Sequence, residues 1–153
     1  MADIEDIDSL DDSLDAIELL ALLEQDNVSE GPTEYVDLDE HAFSVAGARV
    51  LDSKKGDDVV ILDVGAVLSV VGCFVIASAP NSRLVSSLAD EVRDQLKGLT
   101  GRLPLRTEGL SHGQWVLLDY GDVVFHLFLE EVRRNYDLER LWRDVPRVNW
   151  QVK

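Results

Sequence analysis

The chain has 153 residues, which is enough for one globular domain with a single core and too few for two. Its net charge of −16 is confined to the N-terminal quarter, because residues 1–40 hold 15 acids and no base, whereas residues 41–153 hold 15 acids and 14 bases. A body near −1 lacks the broad positive field that phosphate binding needs. We therefore expect little direct contact with nucleic acid and a protein partner instead.

Cysteine content and the absence of targeting signals indicate the compartment. The single cysteine, Cys73, excludes a disulfide framework and a four-thiolate zinc site. The start of the chain is acidic where a signal or transit peptide would be basic, and no apolar run approaches the roughly 20 residues of a membrane span. We expect a soluble cytoplasmic protein that does not bind membranes.

Residues 1–36 form a predicted acidic, disordered extension, because acids mixed with Ser, Gly and Pro repel one another and offer little to bury. Within the extension, four apolar residues recur at helical spacing behind Asp12 and Ser13: Leu14, Ile17, Leu20 and Leu23. This pattern predicts a short amphipathic helix that forms locally or on a partner.

The body is predicted over residues 37–146 and begins with a helix. Asp37 and Glu40 resemble a capping box, and the helix runs to about Lys55 and ends at Gly56. Two β-branched strands follow at 59–64 and 73–77. The eight residues between them are too few for a helical crossover, so we expect antiparallel neighbours.

The second half of the body reads as one helix, three strands and a final helical region. Asn81 and Ser82 cap a helix through about Lys97, which Gly98 and Gly101 end. The remaining predicted elements are strands at 103–107, 114–120 and 123–129 and helical turns at 130–136 and 138–142. The order αββαβββα predicts an α+β, two-layer domain with a mixed β-sheet of about five strands and helices mainly on one face. Residues 147–153 are predicted as a C-terminal tail.

A hairpin over residues 115–128 is the most informative segment. With Tyr120 and Gly121 as a two-residue turn, three cross-strand pairs are predicted: Asp119 with Asp122, Leu117 with Val124, and Trp115 with His126. Alternation places five apolar residues on one face, under the helices: Val116, Leu118, Val123, Phe125 and Leu127.

The opposite face of the hairpin is mixed. It carries Trp115, Leu117, Val124 and His126, with Asp119 and Asp122 at the turn. Asp63 is predicted to extend this face, because Val60, Leu62 and Val64 are assigned to the covered side. A tryptophan among aliphatics with carboxylates at the rim is typical of a protein-binding patch. The pattern leaves open the alternative that a second helix layer covers this face.

Motifs for catalysis, nucleotides and metals are missing from the sequence. No Gly-x-Gly-x-x-Gly, phosphate loop or Gly-x-Ser-x-Gly occurs, and His41, His112 and His126 show no metal-ligand spacing. Ser111 and His112 are adjacent, which is poor geometry for a nucleophile and its base. We expect no catalytic residues, no metal and no cofactor; His126 is interpreted as a packed or interface residue rather than a general base.

Several segments, in this order and spacing, resemble the ribosomal silencing factor family, RsfS, also called Iojap-like. The resemblance spans about residues 39–146. The segments are KGDDVVILDV at 55–64, FVIAS at 74–78, Ser82-Arg83 with Ala89-Asp90-Glu91-Val92, Glu108-Gly109, GQWVLLDYGDVVFH at 113–126 and YDLERLW at 136–142.

The resemblance implies a bacterial or organellar factor that docks on the large ribosomal subunit, at its protein L-fourteen, and sterically blocks joining of the small subunit. Translation would thereby be reduced when nutrients are scarce. The family fold looks like a nucleotidyltransferase domain without its catalytic Gly-Ser and Asp-x-Asp elements. Carried over to this chain, the contact residues are Trp115, Leu117, Leu118, Asp119, Tyr120, Asp122, Val124 and His126. The face assignment above conflicts with this transfer at Leu118.

Two other functions remain open from the sequence. The first is a diverged nucleotidyltransferase in which Asp63, Asp119 or Asp122 holds Mg²⁺. The second is an RNA-binding module, which the charge of the body disfavours. We expect a monomer or weak homodimer, although the sequence leaves the oligomeric state open. The acidic extension is interpreted as a dispensable solubilising arm that avoids ribosomal RNA by repulsion.

Overall fold

The computed structural model describes residues 34–151, so most of the predicted extension, including the helical pattern at 14–23, lies outside the described residues. We number the elements in chain order: α1 (Glu40–Ser53), β1 (Asp57–Asp63), β2 (Cys73–Ala79), α2 (Ser82–Thr100), β3 (Arg106–Glu108), β4 (Trp115–Asp119), β5 (Val123–Leu129), α3 (Glu130–Tyr136), α4 (Leu138–Leu141) and β6 (Arg147–Val148). None of the helices in 34–151 has the length and apolar character needed to cross a membrane.

The two long helices begin at side-chain caps. Asp39, not the predicted Asp37, caps α1: its Oδ1 accepts the backbone N–H of Ala42 at 2.8 Å. Asn81 caps α2 as predicted, since its Oδ1 accepts the N–H of Leu84 at 2.8 Å. Each cap satisfies a donor that the first turn of a helix otherwise leaves unpaired.

The six strands form one mixed sheet in the order β3-β4-β5-β2-β1-β6. β2 and β5 are parallel, joined through α2, β3 and β4, and every other neighbouring pair is antiparallel. The predicted two-layer α+β architecture is confirmed. The sixth strand comes from the predicted C-terminal tail: β6 pairs with β1, and the Trp150 indole donates to the Val59 carbonyl at 2.9 Å.

α1 and α2 pack on the first face of the sheet and form the main core with it. The close approach of α1 depends on Gly47, because a Cβ at this position would lie 2.3 Å from the Phe125 ring. The largest fully buried side chains of this core are Phe43, Leu51, Ile61, Leu88, Leu96, Leu118 and Phe125. The apolar side of the hairpin therefore lies under the helices, as its alternation predicts.

The second face of the sheet carries a smaller core of Leu62, Val64, Ile76 and Phe128. Residues from the β1–β2 loop and from the C-terminal region cover it: Leu68, Val71, Val132, Leu138, Trp142 and Val145. Because this cover lies over β1, β2 and β5, the second face is closed at its centre.

The predicted face assignment of β1 is wrong. Leu62 belongs to the second-face core and Ile61 to the helix-covered core, so Asp63 points to the helix side, where its Oδ2 lies 3.2 Å from Nε2 of His41. The physical reason is that the strand is apolar on both faces, so its sequence has no alternation that distinguishes them. Asp63 does not extend the mixed face of the hairpin.

The hairpin register also differs from the prediction. The turn residues are Gly121 and Asp122, and the pairs are Asp119 with Val124, Leu117 with His126 and Trp115 with Phe128. Gly121 supplies the positive φ (93°) that the first turn position needs, and Asp119 Oδ1 accepts its N–H at 2.8 Å. The slip is two residues, so every side chain keeps its predicted face.

Arg133 of α3 fastens the C-terminal cover to the sheet. It is buried, forms an ion pair with Glu139, and donates to the carbonyl oxygens of Asp57 (3.2 Å) and Asp58 (2.7 Å) and to Ser78 Oγ (3.0 Å). One planar guanidinium therefore joins α3, α4 and the ends of β1 and β2.

We predict that Arg133→Met lowers the free energy of unfolding by about 3–5 kcal/mol, because it leaves Glu139 and two carbonyls without their donor. Arg133→Lys is expected to recover only part of the loss, since an ammonium cannot reproduce the planar set of donors. The matched control is Arg134→Met at the exposed neighbouring position. Urea unfolding measures all three, and equal losses at 133 and 134 would contradict this role.

Candidate protein-docking face

The second face is open over β4, near the edge of the sheet. Trp115, Leu117 and Asp119 are each half-buried and point to this side, whereas Val116 and Leu118 point to the helices. The sequence leaves open whether a second layer covers this face. In the structure, the C-terminal region covers the face as far as β5 and leaves β4 partly exposed. Tyr136 stands beside β4 and is 58 % exposed. We call the surface of Trp115, Leu117, Asp119 and Tyr136 the docking face.

Aromatic rings hold Trp115 in place from two sides. Its ring centroid lies 4.8 Å from that of Phe128, its cross-strand partner on β5, and 4.7 Å from that of Tyr136 at the end of α3. The indole N–H donates to Nδ1 of His126 at 3.2 Å. The side chain is therefore fixed by packing and by a directional hydrogen bond, although half-buried.

His126 is buried at 7 % exposure and neutral in the folded protein. Burial lowers its pKa to about 4, and the negative charge of Asp119 opposes that shift only in part. Because an indole N–H can only donate, Nδ1 must be the acceptor nitrogen and the ring proton resides on Nε2. Nε2 has no hydrogen-bond partner within residues 34–151.

The carboxylates at the hairpin turn are paired with arginines. Asp119 Oδ2 lies 3.1 Å from Arg106 Nη2, and Asp122 Oδ1 lies 2.8 Å from Arg102 Nη2. Arg102 also stacks 4.5 Å over the Phe43 ring centroid, so it is anchored in the core. The rim of the docking face therefore carries fixed polar groups with little net charge.

The structure brings together some of the predicted contact residues and separates others. Trp115, Leu117 and Asp119 share the docking face, with Asp122 at the turn. Val124 and His126 lie on the same side but are buried. Leu118 and Tyr120 are buried in the helix-covered core, where burial also raises the pKa of the Tyr120 hydroxyl. The conflict at Leu118 is thus resolved in favour of the alternation of the strand.

The sequence analysis did not identify Tyr136 as part of this surface. A second exposed apolar residue nearby in the chain, Leu141 of α4, is 74 % exposed. Both occur in the YDLERLW segment, whose sequence predicts only helical turns. No signal in the sequence identifies Tyr136 as a neighbour of Trp115, because the contact between the two rings depends on the path of α3 after β5.

The carboxylates of the alternative nucleotidyltransferase site do not converge. Asp63 accepts the N–H of Gly65 and contacts His41, whereas Asp119 and Asp122 are each held by an arginine. Across residues 34–151, no group of three or more His, Cys, Asp or Glu side chains could hold a metal ion. The buried Cys73 thiol, whose pKa burial raises to about 11, has no thiolate character at neutral pH.

Comparisons with known proteins agree with this description. The sequence model of the family described as "Ribosomal silencing factor during starvation" matches residues 39–153. A ribosomal silencing factor RsfS of Zymomonas mobilis is 39 % identical over 92 residues, 60 % of this chain and 68 % of that protein. The RsfS of Bacillus subtilis is 35 % identical over 99 residues, 65 % of this chain and 83 % of that protein.

A solved structure is similar over most of its length. The crystal structure of a Chromobacterium violaceum protein superposes with a TM-score of 0.67 at 33 % identity, covering 76 % of this chain and 95 % of that one. The family match covers the helices, the whole sheet and the docking face. This chain belongs to the ribosomal silencing factor family.

Proposed function

We propose that this protein represses translation by docking on the large ribosomal subunit, at protein L-fourteen, and sterically blocking association with the small subunit. Membership of the family implies ribosome-associated repression of translation. The observation that carries the finer proposal is the half-buried Trp115, held in a fixed orientation at the open end of a sheet face.

The docking face has the anatomy of an interaction hot spot. A rigid indole packs against two further aromatic rings, Leu117 follows it on the same face of β4, and the ion-paired Asp119 stands at the end of the strand. The hydrogen bond to His126 orders the indole before a partner arrives, so little conformational entropy remains to be lost on binding.

Charge favours a protein surface over naked RNA as the direct contact. Arg106 and Arg102 are already paired with Asp119 and Asp122, and the body of the chain is near neutrality. Binding of such a surface to RNA would release few of the counterions held by the phosphates, so it would gain little binding free energy from that release. Repression then needs no chemical step, because two bodies cannot occupy one site on the large subunit.

We predict that Trp115→Ala weakens binding to purified large subunits and to isolated protein L-fourteen by about 30-fold, because loss of one buried hot-spot tryptophan costs roughly 2 kcal/mol or more. Leu117→Asp at the half-buried neighbour is expected to weaken binding similarly. Val67→Ala, at an exposed apolar residue in the β1–β2 loop, is the matched control. Circular dichroism checks the fold, and dissociation constants equal to that of the unchanged chain would remove the docking face from the interface.

Subunit joining tests the repression step separately. Added to large subunits before small ones, the protein is expected to lower the light-scattering signal of joined ribosomes in proportion to its occupancy, because bound protein excludes the small subunit. Trp115→Ala should leave joining intact at concentrations where the unchanged chain blocks it. Full occupancy without any loss of joining would contradict steric blocking.

The pH dependence of the free energy of unfolding tests whether His126 is neutral in the folded protein. Its pKa is about 4 in the folded protein against 6.5 unperturbed, so the unfolded chain binds more protons between these values. As the pH falls from about 6.5 to about 4, we expect the free energy of unfolding to drop by about 3 kcal/mol, with no further effect of this group below that range. Urea unfolding of His126→Gln supplies the comparison. Parallel pH profiles of the two proteins would contradict a buried neutral imidazole.

A further inference from the structure

A buried hydrogen-bond donor beside the docking face has no acceptor in the described part of its own chain. His126 is 7 % exposed, and its Nε2 has no hydrogen-bond partner among residues 34–151. Most buried polar groups in folded proteins are paired, so an unpaired one calls for an explanation. The imidazole contacts Trp115 through Nδ1 and lies opposite Leu117, which places this donor at the docking face.

The aromatic rings around the imidazole do not supply an acceptor for this hydrogen. Trp115 has one polar side-chain atom, the indole nitrogen, and its N–H already donates to Nδ1 at 3.2 Å. The Phe128 ring is nearly parallel to the imidazole, with 6.3 Å between centroids, and the Phe74 ring meets it at 77° and 4.8 Å. An aromatic face offers only a weak contact to an N–H group.

Asp119 is the charged group whose field reaches His126, but its oxygens are engaged elsewhere. Its negative charge opposes the lowering of the His126 pKa by burial. Asp119 Oδ1 accepts the N–H of Gly121 at 2.8 Å, and Oδ2 pairs with Arg106 at 3.1 Å. The carboxylate is thus held by two other partners, while its charge makes the surroundings of the imidazole unfavourable for a second anion.

A partner on the docking face meets the imidazole next to Leu117. Leu117 of β4 and His126 of β5 are directly opposite each other, so their side chains are neighbours on this face. Leu117 is half-buried and aliphatic, so it can change rotamer without breaking a hydrogen bond. Side-chain rotamer changes of this kind are common when interfaces form.

We propose that His126 donates its Nε2–H to a main-chain carbonyl oxygen of the protein that binds the docking face. This inference rests on the proposed function and adds a specific hydrogen bond to it. The acceptor is uncharged, because a carboxylate or phosphate would lose its water among aromatic rings, and Arg106 is already paired with Asp119 and Glu108. An amide side chain would bring two further donors into the same surroundings, whereas a carbonyl brings only an acceptor.

This hydrogen bond makes the docking face selective. A partner that places a carbonyl oxygen at Nε2 pairs a donor that is unpaired among residues 34–151 of the free protein, whereas a partner that places an apolar group there leaves it unpaired in the complex. His126 then has two roles: Nδ1 orients the Trp115 indole, and Nε2 binds the partner.

Isotope labelling of the histidine ring nitrogens in the full chain tests the hydrogen bond by NMR without a substitution in the tested protein. His41 and His112 are exposed, so their ring hydrogens exchange rapidly with water, and a slowly exchanging imidazole N–H signal is expected from His126. His126→Gln assigns this signal by removing it. Isolated protein L-fourteen should move the proton downfield, while Nδ1 keeps the shift of an unprotonated nitrogen. The Trp115 indole N–H reports binding in the same spectrum.

The two signals separate the failure of this inference from that of the proposed function. An unchanged Nε2 proton beside a shifted Trp115 indole signal would overturn the hydrogen bond and leave the proposed function standing. A protonated Nδ1 in the complex would overturn the uncharged acceptor. No change at either signal, with protein L-fourteen in excess, would contradict the proposed function and this inference with it.

His126→Asn measures what the Nε2 donor contributes to binding. Its side-chain oxygen can still accept the indole N–H in place of Nδ1, but no donor remains at the position of Nε2. We expect protein L-fourteen to bind roughly threefold to tenfold more weakly, with the indole signal retained. His112→Asn, at an exposed histidine, is the matched control.

Equal dissociation constants for His126→Asn and the unchanged chain would overturn the role of Nε2. Should His126→Asn not fold, the labelling experiment on the unchanged chain decides alone. A crystal structure of the complex identifies the acceptor, which is expected within about 3.2 Å of Nε2. A side-chain oxygen there, in place of a main-chain carbonyl, would overturn that assignment.

Discussion

The hydrogen bond between the Trp115 indole and the His126 imidazole is the interaction on which the docking face depends. It fixes a large aromatic side chain where the sheet is only half covered. It also carries a cost, because the Nε2–H of His126 is buried without a partner among residues 34–151, and such a group typically costs about 1–3 kcal/mol. An apolar residue at 126 would avoid this cost and remove the directional hydrogen bond to the indole, leaving ring packing alone to hold it. The buried histidine thus lowers the stability of the fold but keeps the Trp115 indole ordered, which is consistent with a binding role for Trp115.

The opening over β4 follows from how far the C-terminal region extends across the sheet. α3, α4 and Trp142 cover β1, β2 and β5, and Arg133 holds them there through Glu139 and the carbonyls at the start of β1. On the first face, α1 and α2 bury the side chains of β1, β2, β4 and β5 that point to them. A sheet with one closed face and one partly open face can stay stable alone and still offer an apolar surface. Loss of the cover would expose the second core as a whole, so the same arginine protects the fold and limits the docking face.

How much the sequence predicts depends on whether a segment alternates. The hairpin alternates, so both its faces are predicted correctly although its turn lies one residue later than expected; a slip of two residues in the pairing preserves the faces. β1 is apolar on both sides, so its assignment fails and Asp63 is predicted on the wrong face. Leu118 shows the limit of a family resemblance: the motif includes it, but its side chain lies in the helix-covered core. Tyr136 could not be placed beside Trp115 from sequence, because that contact depends on the path of α3 after β5.

The structure of this protein bound to the large ribosomal subunit tests the central proposal most directly. We predict that protein L-fourteen covers Trp115, Leu117 and Tyr136, that the indole keeps its hydrogen bond to His126, and that the body of the protein overlaps the volume the small subunit would occupy. A complex in which Trp115 stays exposed to solvent and the contact is made by another surface would contradict it.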